Sequence, residues 1–435
     1  MIKCESRTTF PNIAGLIEDS IAEWRASSYD FPQFATYSVD EQERREHLLD
    51  GHLDTIDAEL RKTSRTRAAA ERTIARITSS FVRVSTFTLD LDDPYIQTLL
   101  ESGFSQIGVD LARSARRLDP EVSMTDILQA ARNAWTACGL QVLLGRALRL
   151  TPGIFAYSML YPYSDNCLDD PAISPDAKLH FSDLFRRRLK GEYPDAADPR
   201  QKIIWHLIGL IESQYPRVTF PEVYDSLLAI HAAQQDSLRQ TKYGVEDVDV
   251  LRLTFAKGGT SVLADAYLAA GHLTPAEARF AFNWGVVLQL GDDLQDLCAD
   301  RVRGSLTLFT QAAAREMLDA ITNKTFHFSR RVMHQMRSLP SASPALKELL
   351  ARSSRMLLIR SAASVPEAYT SEYLASLERS SPFRFEFLRQ RDERFARRRR
   401  SYARLFEQVV SGIPEWTPAA QFDPPFAAPL TDNQL

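Results

Sequence analysis

Apolar residues recur at helical spacing along most of this chain. From residue 94 to about 408 they mark out successive stretches of 12–25 residues, separated by joints rich in Gly, Pro and Asp at 118–124, 171–176, 191–201 and 271–274. No alternation of apolar and polar positions runs long enough to read as a half-buried strand, and no internal repeat appears. The pattern predicts an all-α fold. One helix start is specific: Thr274 can cap, Pro275 suits the first turn, and Glu277 can complete a capping box. That helix is expected to run through the 280s and 290s. Three parts are expected. Residues 1–93 form an N-terminal helical extension around a charged amphipathic helix at about 40–82. Residues 94–411 form the main helical domain. Residues 412–435 form a proline-rich tail that is expected to be disordered. Asp92 and Asp93, just before Pro94, read as a helix cap.

Composition narrows the function classes. With 435 residues and 44% hydrophobic positions, a sizeable core can be buried, and only 17 glycines leave helix favoured over sheet. A formal net charge of -4 gives no electrostatic case for a nucleic-acid partner. The four cysteines, Cys4, Cys138, Cys167 and Cys298, have neither zinc spacing nor a C-x-x-C pair, which fits a reducing compartment. The first residues contain no apolar stretch, so no secretory leader is expected and a cytoplasmic location is. No apolar run reaches 18 residues, so no transmembrane span is expected.

Two acidic motifs carry the chemistry. The first is Asp165-Asn166-Cys167-Leu168-Asp169-Asp170, the second Asp292-Asp293-Leu294-Gln295-Asp296. Each contains D-x-x-x-D, which puts two carboxylates on one helix face a turn apart, where they repel. A cation relieves that repulsion, and an oxygen-only ligand set suits Mg²⁺ bridged to a phosphate. A solvated acidic face is the ordinary outcome for one such pair. Here Tyr157–Tyr163 and Trp284–Leu290 are largely apolar, so each acidic cluster punctuates a core helix.

The stretch Leu288–Asp296, with Gln289 three residues before Asp292, resembles the second aspartate-rich motif of trans-prenyltransferases. The D-x-x-x-D-D of 165–170 resembles the first motif of squalene and phytoene synthases. Both groups have the helical class I isoprenoid synthase fold, and the resemblance covers roughly residues 100–410. It implies a helical bundle with a central active-site cavity and a prenyl diphosphate substrate. It also implies Mg²⁺, three ions to a site, held by Asp165, Asp169, Asp292, Asp293 and Asp296. The segment Thr254–Ser261 resembles the helix of prenyltransferases whose lysine contacts the diphosphate, which gives that role to Lys257. Gly258 and Gly259 beside it suggest a kink or a close ligand approach. Gln289 and Gly285 precede Asp292 on its face, and Tyr161 and Ser158 precede Asp165. They are expected to line a dry pocket above the acids, where an aromatic face can stabilise a carbocation.

Other features are weighed against plainer readings. Asp300, Arg301 and Arg303 extend the second acidic helix and are placed to close over a diphosphate. Arg186–Arg188 either grip a second substrate or form a solvated helix end. The Arg397–Arg400 run before Tyr402 reads as a basic face or a peripheral contact with an anionic membrane surface. His231, with Gln235 one turn on, faces the cavity or, more simply, is a satisfied core histidine. Within the fold, cyclisation of one prenyl diphosphate, as by a terpene synthase, is the first reading. Head-to-head coupling and chain elongation follow. The all-aspartate second motif departs from the Asn/Ser/Glu triad of most microbial cyclases. Outside the fold stand a metal-dependent phosphohydrolase, for which a His-Asp pair is missing, and a non-catalytic helical scaffold. A homodimer is compatible with all of these.

Overall fold

The computed structural model of the chain describes residues 10–61, 67–91, 94–169, 173–237, 249–339 and 343–410. Regular structure in them is helical, and no strand occurs among the described residues. The first helices are α1 (Ile13–Arg25), α2 (Val39–Arg61), α3 (Arg67–Thr88) and a short α4 (Pro94–Thr98). A π-helical turn (Leu99–Phe104) leads from α4 into α5 (Ser105–Leu118). Then come α6 (Met124–Leu143), α7 (Pro152–Asp169), α8 (Pro175–Leu189), α9 (Pro199–Gln214) and α10 (Pro221–Ser237). The long pair α11 (Val250–Ala270) and α12 (Pro275–Gln295) is followed by α13 (Leu297–Arg303), α14 (Leu308–Ala313) and α15 (Asp319–Gln335). Helices α16 (Pro344–Ser364), α17 (Ser371–Arg379) and α18 (Phe385–Val410) complete the described chain. The charged stretch read as one helix over 40–82 is thus two, α2 and α3. Asp92, Asp93 and the 412–435 tail lie outside the described residues.

Helices begin where a side chain can satisfy free backbone N–H groups. Ser174 caps α8 and Asp198 caps α9, each ahead of a proline in the first turn. At α12 the Glu277 N–H donates to the Thr274 hydroxyl at 3.3 Å, and the Glu277 carboxylate accepts from the Thr274 N–H at 2.7 Å. This is the capping box read from the sequence. Helix α11 stops at Gly271, which takes a φ of +79°, a conformation open to glycine and costly for other residues.

Helix α11 is buried on nearly every side and packs against α1, α6, α7, α10 and α12. A helix without a polar face belongs in the middle of a bundle. Its crossing with α12 is unusually close. A Cβ on Gly285 would stand 2.1 Å from the Gly258 carbonyl oxygen, and one on Gly259 would stand 2.3 Å from the Phe282 ring. Gly258 and Gly259 therefore serve helix–helix contact. Helix α11 continues as regular helix through both.

Helix α1, within the segment read as an extension, is seated in this core. Trp24 meets the edges of Phe255 on α11 and Phe328 on α15, with ring centroids 5.9 and 5.7 Å away. Lys324 of α15 is buried and donates to the Arg25 and Ser27 carbonyls, 3.1 Å each, at the C-terminal end of α1. Its ammonium also lies 4.0 Å over the Tyr29 ring. The cation thus sits where the negative helix end favours it. No helix among the described residues is long and apolar enough to cross a membrane.

Candidate functional site

The second acidic motif occupies the last turn of α12 and its C-cap, Asp296. Asp292 and Asp296 are exposed, while Asp293, a hundred degrees further round the helix, is buried. Asp292 presents open surface, yet the protein crowds it enough for desolvation to push its carboxyl up to about 6. The Arg132 guanidinium opposes this, the Asp296 charge adds to it, and the Lys257 ammonium opposes it.

Asp293 is pushed up to about 7, again mainly by burial. The Gln289 amide donates to its Oδ1 at 2.8 Å and holds it down in part. Its Oδ2 has no hydrogen-bond partner among the described residues. Gln289, expected on the substrate side, thus spends its N–H on Asp293. Lys257 is half-buried on α11, close enough to act on both carboxylates. Among the described residues neither Lys257 nor Arg132 forms an ion pair.

Arg132, on α6, had no signal in the sequence. Its neighbour Asn133 lines a small, partly open cleft bounded by α6, α7, α8 and α10. Tyr157, Tyr161 and Ser164 of α7 form one wall and His231 of α10 another, over a floor of Leu, Ile and Phe side chains. Tyr161 and Ser164 lie in the turn just before Asp165. Pro162 in that turn has no N–H to give to the helix. The cleft therefore adjoins, along the α7 backbone, the turn that carries the first acidic motif, and Arg132, next to Asn133, lies within electrostatic reach of Asp292. The backbone of Asp165 and Asp169 ends α7, but their side chains and all of Asp170 lie outside the described residues.

Behind the cleft is a carboxyl that sequence reading also missed. Asp265, in the apolar centre of α11, is fully buried. Burial holds it well above the usual carboxylate range, against a hydrogen bond from Asn133. The Asn133 amide nitrogen donates to Asp265 at 3.1 Å and to the Ser158 hydroxyl at 3.2 Å. An acid inside the run Val262–Leu268 was the available clue.

Other sequence candidates have structural employment. Arg188 is buried and forks onto Glu212 of α9 at 2.7 and 2.6 Å, Arg187 pairs with Glu192, and Arg186 pairs with Asp183. Arg303 pairs with Asp300 at 3.0 Å, and Arg301 is exposed on the same short helix. Gly285 is covered by Gly258, so it lines no pocket. Arg397 is exposed, 3.6 Å from Glu393, and the side chains of Arg398–Arg400 and Tyr402 lie outside the described residues.

The donors on α12 are all carboxylate oxygens with open surface or a spare lone pair, which suits a hard cation. Among the described residues no group of three acidic, His or Cys side chains is gathered closely enough to hold an ion alone. Helix α12 offers one wall of such a site. Comparison with protein-family models and with the curated proteins gives no match.

Proposed function

We propose that the chain is a class I isoprenoid synthase that ionises a prenyl diphosphate and cyclises the resulting cation. One observation carries the reading. Asp292, in the open acidic pair that ends α12, lies within electrostatic reach of Lys257 and Arg132, which form no ion pair among the described residues, and Asn133 beside Arg132 lines an aromatic-walled apolar cleft. Diphosphate oxygens would meet Lys257 and Arg132, and the prenyl chain would enter the cleft beside Tyr157 and Tyr161. Asp292 and Asp296, with Asp165 and Asp169 from α7, would hold Mg²⁺, and Asp293 supports that wall from behind. The bound metal supplies neutralisation of the charge that develops on the leaving diphosphate. The protein's own part is to fix the diphosphate, to keep water off the cation and to offer it aromatic faces.

Incubation with the prenyl diphosphates from geranyl to geranylfarnesyl, with Mg²⁺, tests this through diphosphate release and product mass. Release that is lost in Asp292→Ala, with the fold intact, is the expected result. Release at the parent rate in that variant removes the metal assignment. A product with twice the carbons of its substrate reassigns the reaction from cyclisation to coupling.

A further inference from the structure

The α10 wall of the cleft carries one group that ionisation does not use. His231 is buried, lines the cleft and stands edge-on to Phe185, with ring centroids 5.3 Å apart. Its Nε2 lies 3.3 Å from the Ser182 hydroxyl. Gln235, one turn along α10, donates its amide to the same oxygen. In the tautomer in which Nε2–H donates to the Ser182 hydroxyl, the lone pair is left on Nδ1. Nδ1 has no protein partner among the described residues.

We infer that His231 is the proton acceptor that ends the reaction in this cleft. The inference rests on the isoprenoid synthase reading. Nδ1 takes a proton from a carbon next to the cationic centre. The electrons of that C–H bond become the second bond of a new C=C, and the cation is neutralised. The proton stays on the imidazolium until product leaves and water removes it. In that tautomer the arrangement is that of a base oriented by a neighbouring hydroxyl. Burial pushes the ring's pKa down to about 4, so it is neutral at pH 7 and does not repel a cation. So weak a base suffices because a carbocation is a far stronger acid. Asn133, Tyr157, Tyr161, Ser164 and Gln234, the other polar groups lining the cleft, are weaker bases still.

The test compares the parent with His231→Gln, whose amide can still reach Ser182 but has no basic nitrogen. Ser182→Ala, which keeps the ring but frees its tautomer, is the second variant. Both are supplied with Mg²⁺ and the prenyl diphosphate that the parent turns over, and both diphosphate release and product spectrum are read. His231→Gln is expected to release diphosphate within about threefold of the parent, while the parent's main alkene falls by about tenfold or more. Alcohols or alkene isomers take its place. Ser182→Ala shifts the same products in the same direction, which keeps the test decisive if His231→Gln does not fold. An unchanged product spectrum in both variants overturns the role and leaves His231 as a core residue. A parent product that retains all the substrate's hydrogens, such as an alcohol, also overturns it, since no C–H proton is then lost. A parent that releases no diphosphate from any prenyl diphosphate defeats the underlying reading, and the role of His231 with it.

Discussion

His231 and Asp265 are two titratable groups held neutral in opposite senses. Burial, with the Arg186 charge assisting, pushes His231 from 6.5 down to about 4. Between those pH values the unfolded chain binds a proton that the folded chain refuses. The stability owed to the neutral ring is therefore complete above about pH 6.5 and drains away as pH falls toward 4, by about 3 kcal/mol in all. Denaturant titrations should find the stability advantage of the parent over His231→Gln smaller at pH 4.5 than at pH 7, by about 2 kcal/mol. An advantage that does not change with pH would mean that the ring protonates as freely in the folded chain as in the unfolded one. Single residues were unevenly legible. The i,i+4 spacing of Asp292 and Asp296 puts them on one helical face. Arg132 carries no local pattern at all, because its meaning depends on the fold bringing its charge within reach of Asp292. Arg188 looked like part of a basic helix end because its partner, Glu212, stands on another helix.

At the scale of elements, boundaries were the most legible feature. Thr274-Pro275-Ala276-Glu277, Gly271, Pro199 and Pro175 act through local chemistry, so their effect needs no knowledge of the rest of the chain. The Gly258-Gly259 pair was ambiguous for the opposite reason. Two glycines in a helix signal a kink, a ligand or a close neighbour alike, and only the partner helix decides. Here the neighbour is Gly285, and the crossing leaves no room for a methyl group. Gly285→Ala gains about 1 kcal/mol in helix propensity but forces two backbones apart. A net loss of about 2 kcal/mol in chemical denaturation is expected. Because Lys257 and Gln289 adjoin that crossing, the same change should also weaken diphosphate release on the proposed reading. A variant as stable as the parent would mean that the helices can separate without cost.

Over the whole molecule, α1 belongs to the core beside α11 and α15, although its sequence shows only an ordinary amphipathic helix. Lys324 is the tie. Removing its ammonium leaves two buried carbonyls and an aromatic face without their partner. Lys324→Ala should cost about 3 kcal/mol and raise amide exchange in 13–25 above that in α12. Equal exchange in parent and variant would show that Trp24 alone seats the helix.

That tie spans 299 positions of the chain. On a ribosome making about 5–20 residues per second, α1 emerges roughly 15–60 seconds before the lysine that fastens it. Until α11 follows, the stripe of Leu16, Ile17, Ile21 and Trp24 has no permanent cover and is open to a chaperone or a neighbouring nascent chain. Closure of the fold waits on its earliest helix, so contact order places the docking of α1 late on the folding path.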